Sequence, residues 1–228
     1  MDYIKHQESY TIVILKENKT PGYLQSSWMH DMGILNEEEW NSINAKEIVL
    51  GYNLSQFKIG DYMQFLCNQS RIQIGTNDIT KIKRLVSICL GIISVDVIGK
   101  EPVSAVGVNS EFLFSFINKE DSIKFGDYFV PFKNWESFTK EPRVMEFAVT
   151  DEVASNAQTP RKSVKFSSVG FRALKDGEQL PIINANSNYH FDVKTLDDVK
   201  TVLNNAEDFF MQYRVFINDF LSKVNLEK

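Results

Sequence analysis

The chain has 228 residues, 43% of them apolar and 17 of them Phe, with a net charge of −5. That length allows one domain or two small ones, and that apolar content builds a sizeable core and excludes disorder as the dominant state. The acidic balance, without any block of consecutive Lys or Arg, disfavours a general nucleic-acid role.

From the N-terminus, MDYIKHQESY is polar and lacks a signal-peptide core, and no uninterrupted apolar run is long enough to span a membrane. The expectation is a soluble, cytoplasmic protein. Two cysteines, Cys67 and Cys89, are too few for a disulfide framework. Thr11–Leu15 reads as a buried β-branched strand, and Thr20-Pro21-Gly22 as a turn. Asn36 with Glu39 predicts a capping box, with Leu35 and Trp40 as its hydrophobic staple. The glutamates of that run suit the positive end of a helix, which leaves no need for a metal or catalytic role.

Glu47–Tyr52 is a predicted strand. Tyr62–Cys67 and Arg71–Thr76 form a predicted hairpin across Asn68-Gln69-Ser70. Apolar residues from Ile79 to Ile93 then recur at helical spacing, with Lys81, Lys83 and Arg84 on the solvated side and Cys89 an inert thiol on the apolar stripe. Pro102 opens a long strand to Ile117. Val106, Val108, Phe112, Phe114 and Phe116 share one parity; Gly107, Asn109 and Glu111 share the other, facing solvent or lining a groove. A bend is expected near Gly107.

Asn118–Phe125 is a predicted capped helix ending at Gly126. Tyr128–Phe138 is an irregular aromatic segment. Arg143–Thr150 alternates with Met145, Phe147 and Val149 inward. Asp151–Lys162 is a loop. Val164–Leu174 is a strand with a bulge between Phe166 and Val169. Asp176-Gly177 turns into Leu180–Asn184, and Asn186-Ser187 turns again into Tyr189–Val193. Thr195 caps one helix of about eight turns reaching Val224. The fold class is α+β: antiparallel sheets backed by helices, with a long C-terminal helix. Residues 1–228 form one domain, and two related halves of about 1–117 and 118–228 are an option. Sliding Ser70 onto Ser187 brings Ile72 onto Tyr189, Ile74 onto Phe191 and Leu85 onto Val202.

The runs RIQIGT at 71–76, PVSAVGVN at 102–109 and NSNYHF at 186–191 resemble a group of uncharacterised bacterial proteins with an RIQI-like strand, a helix and a P-V-x-A-x-G-x-N strand. The resemblance covers residues 60–117 and 182–225. It implies an α+β protein of bacterial or mobile-element origin and carries no active site with it.

Zinc, phosphate-loop and nucleophile-elbow motifs are absent from the sequence, and no cofactor is expected. His6, His30 and His190 lie far apart in it. Two polar groups are candidate sites: His30 with Asp31, as an acid–base pair or a ligand contact, and His190 with Asn109 and Glu111, as a polar site on the outer sheet face should adjacent strands bring them together. An ordinary loop and a surface histidine are the competing readings. The leading functional expectation is a non-enzymatic interaction or assembly subunit of a bacterial multi-component system, phage defence among the contexts. It binds a protein partner or itself, with Trp28, Trp40 and Trp135 as exposed anchors. The alternatives are a hydrolytic enzyme using His30/Asp31 or His190, and a nucleic-acid binder using Arg143, Arg161 and Lys162.

Overall fold

Alternation of apolar and polar residues gives the central strands one greasy side each, and their antiparallel pairing in one nine-stranded sheet puts those sides on one face, whereas the edge strand Val49–Gly51 is exposed throughout. The structure is a computed structural model that describes residues 2–16, 24–95, 102–135, 137–138, 144–174 and 177–226. Its strands are β1 (Tyr3–Lys16), β2 (Val49–Gly51), β3 (Leu54–Ile59), β4 (Met63–Asn68), β5 (Arg71–Thr76), β6 (Val103–Phe116), β7 (Glu146–Thr150), β8 (Arg161–Ala173) and β9 (Gln179–Asp192). The helices among the described residues are α1 (Ser26–Asp31), α2 (Glu37–Asn41), α3 (Ile82–Ser94), α4 (Lys119–Phe129), α5 (Leu196–Asn204) and α6 (Ala206–Leu226). The fold is therefore α+β, as expected, with a single sheet in place of several.

The strand order is β2-β3-β4-β5-β1-β6-β9-β8-β7. Apart from β2 at one edge, it is symmetric about the β1–β6 pair: β5, β4 and β3 lead outward from β1 as β9, β8 and β7 lead outward from β6. The register follows the same symmetry. Val13 lies opposite Gly107, flanked by Ile12 opposite Val108 and Ile14 opposite Val106. On one side Ile74 and Ile72 lie opposite Ile12 and Ile14; on the other Phe191 and Tyr189 lie opposite Val106 and Val108. A two-fold through the Val13–Gly107 pair thus superposes Ile72 on Tyr189 and Ile74 on Phe191, the match visible in the sequence.

The buried face carries Ile12, Ile14, Phe65, Ile74, Val106, Val108, Phe114 and Phe191, each at most 1% exposed. Burial of such side chains stabilises the fold by about 1.5–3 kcal/mol each. Helices cover this face: α3 packs over β1 and β5, α5 over β6, and α6 over β6 and β9. The Tyr213 hydroxyl, on α6, donates to the Ala185 carbonyl at 2.7 Å and ties helix to sheet.

Several elements differ from the sequence reading. β1 spans Tyr3–Lys16, because pairing with β6 carries its polar first half. Gly107 is regular; the register shifts between β1 and β6 fall at Lys5/Gln7 and Leu15/Lys16. Asn186-Ser187 is no turn: β9 runs straight through it, paired on both sides. The bulge expected in β8 is present, between Ser168 and Gly170. α4 continues through Gly126, where a Cβ would stand 2.7 Å from Phe132 Cζ, so this glycine admits the Phe132 ring rather than ending the helix. The long terminal helix is two helices meeting at Asn205. The turns expected at Thr20-Pro21-Gly22 and at Asp176, and the basic Arg143, lie outside the described residues.

Candidate functional site

The opposite face of the sheet holds the polar positions of the central strands, most of them half-buried. Rows of side chains cross it. Gln73, Val13, Gly107, His190 and Arg161 form one row; Gly75, Thr11, Asn109, Asn188 and Ser163 form the next. Ser9, Glu111, Asn186 and Lys165 form a third. A groove of about 530 Å³ opens here, and Asn109 and Glu111 line it. Glu111 accepts from Asn186 Nδ2 at 3.0 Å and from Ser9 Oγ at 3.3 Å. Tyr62 stands at the groove, with Lys81 Nζ 4.8 Å from its ring centroid.

His190 shares this face with Asn109 and Glu111 but is engaged elsewhere. Its Nε2 lies 3.2 Å from Asp192 Oδ1, and the other oxygen of Asp192 accepts from the Ser155 hydroxyl. The Ser155 bond foremost, then His190, holds the Asp192 carboxyl below its ordinary range against partial burial. The carboxylate sits between hydroxyl and imidazole, whereas an activated nucleophile needs its hydroxyl on the imidazole. His30 joins two helices: its Nε2 lies 2.7 Å from Glu37 Oε2 and its ring stacks on Trp40 at 5.2 Å, while Asp31 is 3.9 Å away and exposed. His6 Nε2 bonds Ser115 Oγ at 2.9 Å. No set of three His, Cys, Asp or Glu side chains among the described residues is placed to hold a metal.

Arg161 and Lys162 are neighbours on a strand and point to opposite faces: Arg161 sits across from His190, while Lys162 Nζ lies 5.6 Å from the Tyr189 ring. They form no common basic patch. The tryptophans are scattered as well. Trp28 packs against the core and Trp40 under His30; only Trp135 is strongly exposed, at 48%. Burial pushes the Cys89 thiol far up, as suits an inert core residue.

A second concavity escaped the sequence reading. An apolar cleft of about 470 Å³ lies beside edge strand β7, lined by Phe125, Phe129, Phe132, Phe147, Phe166 and Phe171. Phe129 packs on Phe147 at 4.3 Å and on Phe166 at 5.5 Å. At its rim Ile123, Met145 and Phe171 are 47%, 56% and 50% exposed. Met145 and Val149, expected inward, stand out in solvent because no further strand covers this edge among the described residues. The sequence signal was the density of Phe and Tyr between 125 and 147, which alone cannot say whether rings meet each other or water.

No protein-family model, no curated protein and no solved structure matches this chain.

Proposed function

We propose that the protein is a non-enzymatic interaction subunit that captures a partner chain at the aromatic cleft. The observation that carries this reading is the combination of an apolar cleft, an exposed apolar rim and an open strand edge in one place. An extended segment can pair with β7 through its backbone while a large apolar side chain fills the cleft, which is the logic of strand addition. Exposed apolar surface of this kind is otherwise a liability. Membership of a bacterial multi-component system, phage defence among the contexts, is part of the proposal and is supported by the resemblance in the RIQIGT and PVSAVGVN runs. The test is panning of the intact chain against displayed peptides, in parallel with a Met145→Asp/Phe171→Asp double variant. Enriched peptides are expected to carry a large apolar side chain in an extended context, with capture at least tenfold weaker by the variant. Equal capture by both chains, or no enrichment at all, would reject this reading; concentration-dependent dimerisation lost in the variant would make the partner a second copy.

A further inference from the structure

The outer edge of β7 is unpaired among the described residues, and its hydrogen-bonding pattern fixes what can join it. The Met145 carbonyl accepts from the Ser168 amide at 2.9 Å, and the Asp151 amide donates to the Lys162 carbonyl at 2.8 Å. Antiparallel bonding alternates along a strand. Met145, Phe147, Val149 and Asp151 therefore turn their backbone groups toward β8, while Glu146, Ala148 and Thr150 turn theirs outward. The stretch from Val144 to Thr150 holds no proline, and its one charge, Glu146, is paired with Lys165 of β8 at 2.7 Å. The devices that normally protect an open edge are missing from it.

This strand is its own complement. A two-fold axis through Ala148 pairs every outward residue: Ala148 with its mate, and Glu146 with Thr150 of the second copy. On the helix side the same register sets Phe147 against Val149 of the second copy, an aromatic and a β-branched side chain of the kind that stabilises neighbouring strands. Val149, 53% exposed in the single chain, is covered by that contact. On the other side Glu146 meets a neutral threonine, so no like charges oppose. A register centred on Glu146 would set the two glutamates against each other, and one centred on Phe147 would carry Thr150 past the end of the opposite β7. The far edge of the sheet offers only the three residues of β2. A second copy also brings its strand already extended, without the ordering cost of a flexible segment. We propose that the partner captured at β7 is a second copy of this chain, the two sheets joined edge to edge about an axis through Ala148. The inference rests on β7 being the capture edge. The contact uses the same surface on both copies, so it closes as a dimer and does not propagate into a fibre.

The test is analytical ultracentrifugation of the intact chain from micromolar to submillimolar concentration, which is expected to show monomer when dilute and dimer when concentrated. Ala148→Pro is expected to weaken the dimer by at least about tenfold at an unchanged melting temperature, because the N–H it removes faces outward and serves no bond within the chain. Should that variant fold poorly, a nitroxide attached to Ala148→Cys reads the register directly, since the native Cys67 and Cys89 are buried. Paired residues across such an axis lie about 5.5 Å apart at Cα, so the labels are expected to broaden each other's spectra, and mixing with excess unlabelled chain to remove the broadening. A chain that stays monomeric overturns the self-pairing, as does a dimer of undiminished affinity in well-folded Ala148→Pro or a dimer without spectral broadening. Peptide panning separates this failure from that of the capture edge itself. A monomeric chain that still enriches extended apolar peptides keeps β7 as the capture edge for another protein; a monomeric chain that enriches none removes both readings.

Discussion

At the scale of residues, Glu39 shows how much one side chain can do. It completes the capping box of α2, accepting from the Asn36 backbone at 3.0 Å while its own amide bonds the Asn36 side chain. Its carboxylate also takes Arg84 in a two-point contact at 2.5 and 2.6 Å, and Arg84 reaches on to the Ile34 carbonyl. Burial works to raise the Glu39 pKa, but the Arg84 hydrogen bonds, the Asn36 backbone and the Arg84 charge hold it below its ordinary 4.5. The folded state therefore binds the proton less readily than the unfolded chain. This stabilisation is full above pH 4.5 and fades as pH falls through the lower folded value. Glu39→Gln is expected to cost about 2 kcal/mol at neutral pH, the gap to wild type narrowing in acid. Urea melts from pH 7 to pH 3 check this, and a constant gap would refute it. The cap was legible in the sequence because both partners lie three residues apart. The Arg84 contact was not, since Lys81, Lys83 and Arg84 all leave the apolar stripe and only the placement of α2 beside α3 decides which one finds an acid. A similar cluster was invisible for the same reason: Glu8 accepts from the Tyr10 hydroxyl at 2.6 Å and pairs with Lys5 and, from distant α6, Arg214.

At the scale of elements, local signals succeed where local forces decide. Thr195 caps α5, its hydroxyl accepting from the Asp198 amide at 3.1 Å and the Asp198 carboxylate answering at 3.0 Å. Thr195→Ala is expected to lower stability by about 1 kcal/mol, read from the denaturant midpoint at unchanged slope; a shift within error would show that packing of α5 on α3 and β6 suffices. Local signals fail where neighbours override them. Asn186 and Ser187 prefer turns, yet β6 on one side and β8 on the other claim both backbones, and Asn186 turns its amide to Glu111. The first half of β1 has no apolar alternation to announce it, so half of the polar groove wall could not be read from sequence. Gln73, Asn109 and Glu111 were legible as outward residues. Their assembly with Gln7, Gln56 and Gln64 on one surface depends on a strand order that no local pattern contains.

At the scale of the molecule, the symmetric strand order has a mechanical meaning. The two halves are joined edge to edge by β1 and β6 over their whole length, beneath one continuous helix layer. Fragments separated between Ser94 and Val103 would each expose a long central strand with an apolar face. They are expected to self-pair or aggregate alone and to regain native near-ultraviolet dichroism and a monomer-sized elution when refolded together. A fragment that stays monomeric with native tertiary signals by itself would show that the halves are independent. The same central placement sets the order of events during synthesis. β1 is made before either of its neighbours, so it must wait with both edges unpaired while the β3–β4–β5 meander closes through short turns. Pairing of distant strands makes folding slow and leaves such intermediates prone to association. The strand that ends deepest in the sheet is thus the one longest exposed on the way there, and its polar opening stretch, Tyr3–Ser9, keeps that exposed edge from sticking before β6 arrives.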